Sequence, residues 1–156
     1  EVSDEVSDEV SDEVSDEVLD YVSDEDSRRK GLVQLDEQIK IHMKEHHSTK
    51  GEELMSFWVG FSEKARAETN EDAKTRWNWW SYNCLKKVLE LDPNDRVFSK
   101  RPGGRAEILK LYDITCKHQK AELTLRKAKA EVAAAKKKYE AEKFMKEWWA
   151  NVFDKD

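Results

Sequence analysis

Residues 75–87 read TRWNWWSYNCLKK, and the spacing of their large side chains decides the fold. Trp77, Trp80 and Cys84, continued by Val88 and Leu91 and preceded by Ala73, recur at steps of three and four. That is one face of an α-helix. Trp79 and Tyr82, continued by Leu85 and Leu89, open a second face. A helix apolar on two sides needs two neighbours. One must be the chain's own core; the other is either the chain's C-terminal helix or a docking protein.

Working outward, Thr69 or Asn70 caps this helix and places acids in its first turn, where the helix dipole favours them. Asp92-Pro93 stops it. Upstream, Thr49 followed three residues later by Glu52 is a capping box, so another helix starts near residue 50. It buries Leu54, Phe57, Trp58, Phe61 and Ala65, with Gly60 weakening it slightly. Before it, Leu32, Leu35, Ile39, Met43 and His46 mark an amphipathic helix over residues 29–46. Downstream, DPND suggests a cap with Pro93 in the first helical position and a short turn through Val97-Phe98. SKRPGGR is a loop.

From Arg105 to about Ala150 the chain has no Pro or Gly and many Ala, Lys, Glu and Leu. That predicts one helix of roughly 65–70 Å at 1.5 Å per residue. Its first third has a seam at Leu109, Tyr112, Cys116, Gln119 and Leu123. No strand pattern appears. The expected class is all-α: a three-helix aromatic-rich domain over 28–99 and a long basic C-terminal helix over 105–153, behind an acidic tail over 1–27.

The tail repeats E-V-S-D four times and then breaks into EVLDYVSDED. Residues 1–27 hold thirteen acids and no base, leaving 28 bases against 21 acids, a net of +7, in the rest of the chain. The repeat has no apolar face as a strand. As a helix it would stack like charges, so it is expected to be disordered. Its serines precede acids, which suits an acidophilic kinase. Leu19 and Tyr21, where the repeat breaks, suit strand addition to a partner's sheet edge.

Two cysteines, Cys84 and Cys116, lie on predicted apolar stripes and read as buried hydrophobes in a reducing compartment, hence an intracellular, cytoplasmic or nuclear protein. No run approaches eighteen apolar residues, so no transmembrane span is expected. No cleavable signal peptide is expected either, and a chain opening on Glu1 reads as having lost its first residues.

Ile39, Trp58 and Trp77 fall nineteen residues apart on three successive helices. Over residues 31–91 this resembles the bulky-residue spacing of Myb/SANT-type DNA-binding modules. The resemblance implies that the helix carrying KTRWNWWSYNCLKK is a recognition helix. Its candidate base readers are few: Arg76, Asn78 and Asn83.

His42-Met43-Lys44-Glu45-His46 spells H-x-x-E-H, the inverted zinc-protease motif, in which two imidazoles at i and i+4 share a metal. Two ligands are not a site, and a third would have to come from far along the chain. The pair suits at most a two-ligand zinc contact at an oligomer interface. Arg101-Pro102-Gly103-Gly104-Arg105 lacks the ending of a P-loop and follows no strand, so it reads as a plain turn. No Ser/His/Asp or Cys/His arrangement stands out. No catalytic residue, metal, cofactor or small-molecule substrate is expected.

Two features remain for partners. Arg126, Lys127, Lys129, Lys136, Lys137 and Lys138 form a basic stretch suited to nucleic acid, anionic lipid or the chain's own acidic tail. Phe144, Met145, Trp148, Trp149, Val152 and Phe153 crowd large apolar groups into ten residues, which suits docking to another subunit. The expected function is a non-enzymatic scaffold or interaction protein. It would dock or self-associate, as in a coiled coil, through Trp79, Tyr82, Phe144, Trp148, Trp149 and Phe153. A nucleic-acid-binding protein with a Myb/SANT-like unit is the alternative.

Overall fold

The structure, a computed structural model, describes residue 19 and residues 22–153, and every regular element among them is helical. In chain order these are α1 (Glu25–His46), α2 (Lys50–Ala67), α3 (Glu71–Leu89), α4 (Arg96–Lys100) and α5 (Gly104–Phe153). The fold is all-α: a three-helix aromatic-rich domain, then one long C-terminal helix. The E-V-S-D repeats and Tyr21 lie outside the described residues.

Local capping chemistry sets the boundaries. Thr49 and Glu52 form the expected capping box, each side chain satisfying the other's backbone N–H. Asn70 rather than Thr69 caps α3, its side chain accepting from the Ala73 N–H. Two boundaries differ from expectation. Helix α1 begins at Glu25, four residues early, because Asp24 accepts from the Ser27 N–H and Glu25 and Asp26 sit in the favourable first turn. Just before it, Val22 is buried, so this part of the acidic segment belongs to the fold. Helix α4 is capped by Asp95, not Asp92, because Asp92 closes a turn instead. Its carboxylate takes the Asn94 N–H at 2.8 Å and its carbonyl the Asp95 N–H at 2.9 Å.

The chain divides into two units at Lys120/Ala121, inside α5 rather than at the SKRPGGR loop. In the first unit, α2 and α3 approach most closely. Small side chains permit this: Ser62 and Ser81 share a hydrogen bond at 2.8 Å, and Ala65 is buried. The centre of the core is Ile39, Leu54, Cys84, Leu85, Val88, Ile108 and Tyr112, all almost fully buried. Each such aliphatic side chain stabilises the fold by about 1.5–3 kcal/mol. Both cysteines are free and buried, and burial pushes the Cys84 thiol up to about 12.

The start of α5 closes this core. Its seam begins at Ile108 rather than Leu109, and continues through Tyr112, Cys116 and Gln119. Tyr112 stacks on Tyr82 with ring centroids 5.4 Å apart, and Gln119 donates to the Asn78 carbonyl at 2.8 Å. Two glycines are required by close approach. A Cβ on Gly31 would lie 2.5 Å from the Trp80 ring, and one on Gly51 would lie 2.6 Å from Val97.

The second unit is Ala121–Asp156. From Lys127 to Phe153 every side chain is exposed. Ala, Lys and Glu, all strong helix formers, keep this stretch helical where tertiary burial does not. Among the described residues no helix is long and apolar enough to cross a membrane.

Candidate functional site

Helix α1 ends at His46, and His47 follows in the left-handed conformation (φ 52°, ψ 43°), its N–H bonded to the Met43 carbonyl. That residue reverses the chain, and after Ser48 the Thr49 capping box starts α2 at once. The box sets the rotational phase of α2. Glu52, in the third helical position, faces Arg96 (3.2 Å) and Lys100 (2.5 Å). Lys100 above all, then the Thr49 N–H and Arg96, holds the Glu52 carboxyl down to about 2. Glu53, one residue on, faces the end of α1 and is 5% exposed.

Around Glu53 lie His42 and His46, on one face of α1 at i and i+4. His46 Nδ1 is 2.9 Å from Glu53 Oε2, and His42 Nδ1 is 3.6 Å from Glu53 Oε1. The Ser48 hydroxyl donates to Oε2 at 2.5 Å. Burial pushes the Glu53 carboxyl up, but the Ser48 and His46 hydrogen bonds outweigh it and the net shift is downward. One ligand atom from each of His42, His46 and Glu53 lies within 4.8 Å of the others, a set able to hold a metal ion. A cavity of about 350 Å³ opens beside them, lined by Phe57, Gly60, Phe61 and Lys64 among others. Lys64 is drawn aside, its ammonium 4.6 Å from the centre of the Trp77 ring.

Glu53 is the residue that sequence reasoning missed; Glu45 of the H-x-x-E-H pattern is exposed. The candidate third donor does not come from far along the chain, as expected, but from seven residues beyond His46. The signal was present in the capping box. The residue before the N-cap characteristically packs against the fourth helical residue. Here those two are Ser48 and Glu53, and the contact is polar instead of apolar.

The expected docking residues fall into two groups. Trp79 and Tyr82 are 7% and 4% exposed, covered by their own chain. Trp79, Tyr82 and Leu85 of the second stripe are packed inward, while the first stripe buries Cys84 and Val88 completely and leaves Trp77 and Trp80 half-buried. By contrast Phe144 and Phe153 are each 64% exposed, and Trp148 and Trp149 about half exposed. Trp149 stacks on Phe153 at 4.6 Å and meets Trp148 edge to face at 4.9 Å.

At 100° per residue, positions 144, 145, 148, 149, 152 and 153 cover about half the helix circumference as one continuous band. Glu140, Lys143 and Glu147 lie opposite. Lys127, Lys129, Lys136, Lys137 and Lys138 are exposed along α5, while Arg126 is half-buried. Leu19 is half-buried, its carbonyl accepting from the Val22 N–H at 3.0 Å.

In the Myb/SANT-like triplet, Ile39 is fully buried and Trp58 and Trp77 half-buried, with Trp77 stacked on Phe61 at 5.9 Å. The Asn83 side-chain amide donates to the Trp79 carbonyl at 3.0 Å, and the Asn78 backbone carbonyl accepts from Gln119. Comparison with protein-family models, with curated proteins and with solved structures returned no match.

Proposed function

We propose that the chain is a non-enzymatic helical interaction protein that docks through the end of α5 onto an apolar protein surface, a second copy of itself being the occupant. The observation that carries this reading is the band of Phe144, Met145, Trp148, Trp149, Val152 and Phe153, each between 45% and 64% exposed. Large apolar groups gathered on one face of a helix are costly in water and mark an interaction surface. Their spacing (i, i+4, i+8 on two adjoining rows) lets an antiparallel copy interdigitate with the same face, a self-complementary contact. Charge supports a protein occupant over nucleic acid or anionic lipid here, since residues 139–153 hold three acids and two bases.

Sedimentation velocity on the full chain tests this. The expected result is concentration-dependent self-association that a Phe144→Ser/Trp148→Ser/Trp149→Ser/Phe153→Ser variant loses while keeping its helical circular dichroism. A wild-type chain that stays monomeric over the whole accessible concentration range would sink the reading. The competing nucleic-acid reading draws on the exposed Lys127, Lys129, Lys136, Lys137 and Lys138. Its signature is duplex DNA binding that weakens steeply with salt.

A further inference from the structure

We infer that His42, His46 and Glu53 bind one divalent transition-metal ion of the Zn²⁺ class, clasping the end of α1 to the start of α2. The inference starts from a buried carboxylate. Glu53 is 5% exposed, and burying a charge is costly unless it is paired. Its Oε2 is well served by Ser48 at 2.5 Å and His46 at 2.9 Å. Its Oε1 is not: His42 Nδ1 faces it at 3.6 Å, beyond hydrogen-bond reach.

The hydrogen bond to Oε2 accounts for His46, whereas His42 stands at ion-pair range of Oε1 and against the Phe57 ring, with centroids 5.5 Å apart. A shared cation explains both. Metal–ligand distances of about 2.0–2.1 Å in a tetrahedron separate neighbouring ligand atoms by roughly 3.3 Å. The approaches of His42 to Oε1 (3.6 Å) and of His46 to Oε2 (2.9 Å) bracket that value, and one ligand atom from each of the three residues lies within 4.8 Å of the others, so small side-chain adjustments bring the set to one ion.

The donor set selects the metal. Two imidazole nitrogens and one carboxylate oxygen suit Zn²⁺ and its neighbours Co²⁺, Ni²⁺ and Cu²⁺. Ca²⁺ and Mg²⁺, which prefer shells of oxygen, suit it poorly. Ser48 supplies the outer-shell support that ligating carboxylates usually have. The adjoining cavity leaves a fourth position open to water or a small ligand.

The frame is rigid where it must be. His42 and His46 sit on one helical face, and the left-handed His47 and the Thr49 capping box fix α2 against it. The site lies wholly within the first unit.

Calorimetric titration of the full chain with Zn²⁺, with Mg²⁺ as the hard-ion probe, tests the inference. Expected are one equivalent of Zn²⁺, no Mg²⁺ uptake, and a melting temperature that rises with Zn²⁺ and falls back on chelation. His42→Ala and His46→Ala should each weaken Zn²⁺ binding at least tenfold. Ser48→Ala should cost roughly tenfold through the lost outer-shell bond. His118→Ala should leave binding unchanged. His42 and His46 are 36% and 56% exposed, so these variants should fold; glutamine replacements repeat the test if the alanine variants do not. No Zn²⁺ uptake by the folded wild-type chain would overturn the inference. So would uptake that survives the His42/His46 double variant.

Discussion

Trp79 and Trp80 on α3 meet edge to face with ring centroids 5.0 Å apart, and Trp148 and Trp149 on α5 do the same at 4.9 Å. The two pairs are locally alike, yet their surroundings are opposite. Trp79 is 7% exposed, under a core that includes Tyr82, Leu85 and Tyr112, whereas Trp148 and Trp149 are 45% and 46% exposed. The difference shows that a tryptophan pair carries no fixed structural meaning. On α3 the neighbouring positions, Ser81, Cys84, Leu85 and Val88, form a continuous surface that other helices cover. On α5 the approach to the pair is AAAKKKYEAEK, in which Tyr139 is the one large apolar side chain before Phe144, and it is itself exposed. One pair is packed into the fold through Trp79, and the other is left about half exposed.

That contrast can be broken most directly by truncation. Trp79→Ala should cost about 3–5 kcal/mol, since it removes a buried ring and leaves a cavity. Trp148→Ala should change unfolding free energy by no more than about 0.5 kcal/mol, measured by urea denaturation at concentrations where the chain is monomeric. Equal losses would mean that the α5 pair is part of the fold after all.

A gentler probe adds a methyl group. Gly31→Ala puts a Cβ 2.5 Å from the Trp80 ring, so the ring must shift, and the variant should lose about 1–3 kcal/mol despite the better helix propensity of Ala. In the second unit no such sensitivity is expected: Ala133→Val, on an exposed stretch, should cost only its helix propensity, about 0.5 kcal/mol.

The smallest effect concerns pH. The Glu52 carboxyl is held down to about 2 from its ordinary 4.5 by Lys100, the Thr49 N–H and Arg96. Its contribution is therefore complete above about pH 4.5 and is lost as pH falls toward 2. Glu52→Gln should flatten that part of the acid-stability profile. At neutral pH it should cost about 1 kcal/mol or less, because Arg96 and Lys100 are more than half exposed and solvent screens the contact. Glutamine at this position preserves the capping box, so a larger loss would point to a role beyond the ion pair.

Much of the fold was legible because its signals are local. The Thr49–Glu52 box, the Asx cap of α3 and the Pro- and Gly-free run after residue 104 act over three to five residues, and the structure places helix ends where they indicate. Where a local signal had a rival, the reading slipped. Asp92 and Asp95 are both residues suited to a cap; Asp92 is taken up in a turn, and Asp95, which caps α4, also accepts from the Thr49 hydroxyl beside Gly51. The candidate metal site was half legible: His42 and His46 announce themselves by spacing, but Glu53 joins them only through the turn between α1 and α2.

By itself, then, the sequence determined the helical class, most helix ends, the burial of both cysteines and the apolar band at the end of α5. Periodicity, capping and propensity act through the nearest neighbours in the chain. Tertiary structure alone decided that Trp79 lies deeper than Trp77 and Trp80, that the unit boundary falls inside α5 at Lys120/Ala121, and that a buried carboxylate meets two imidazoles. Those outcomes depend on which surfaces cover one another, and elements distant in sequence settle that by competing for the same apolar area.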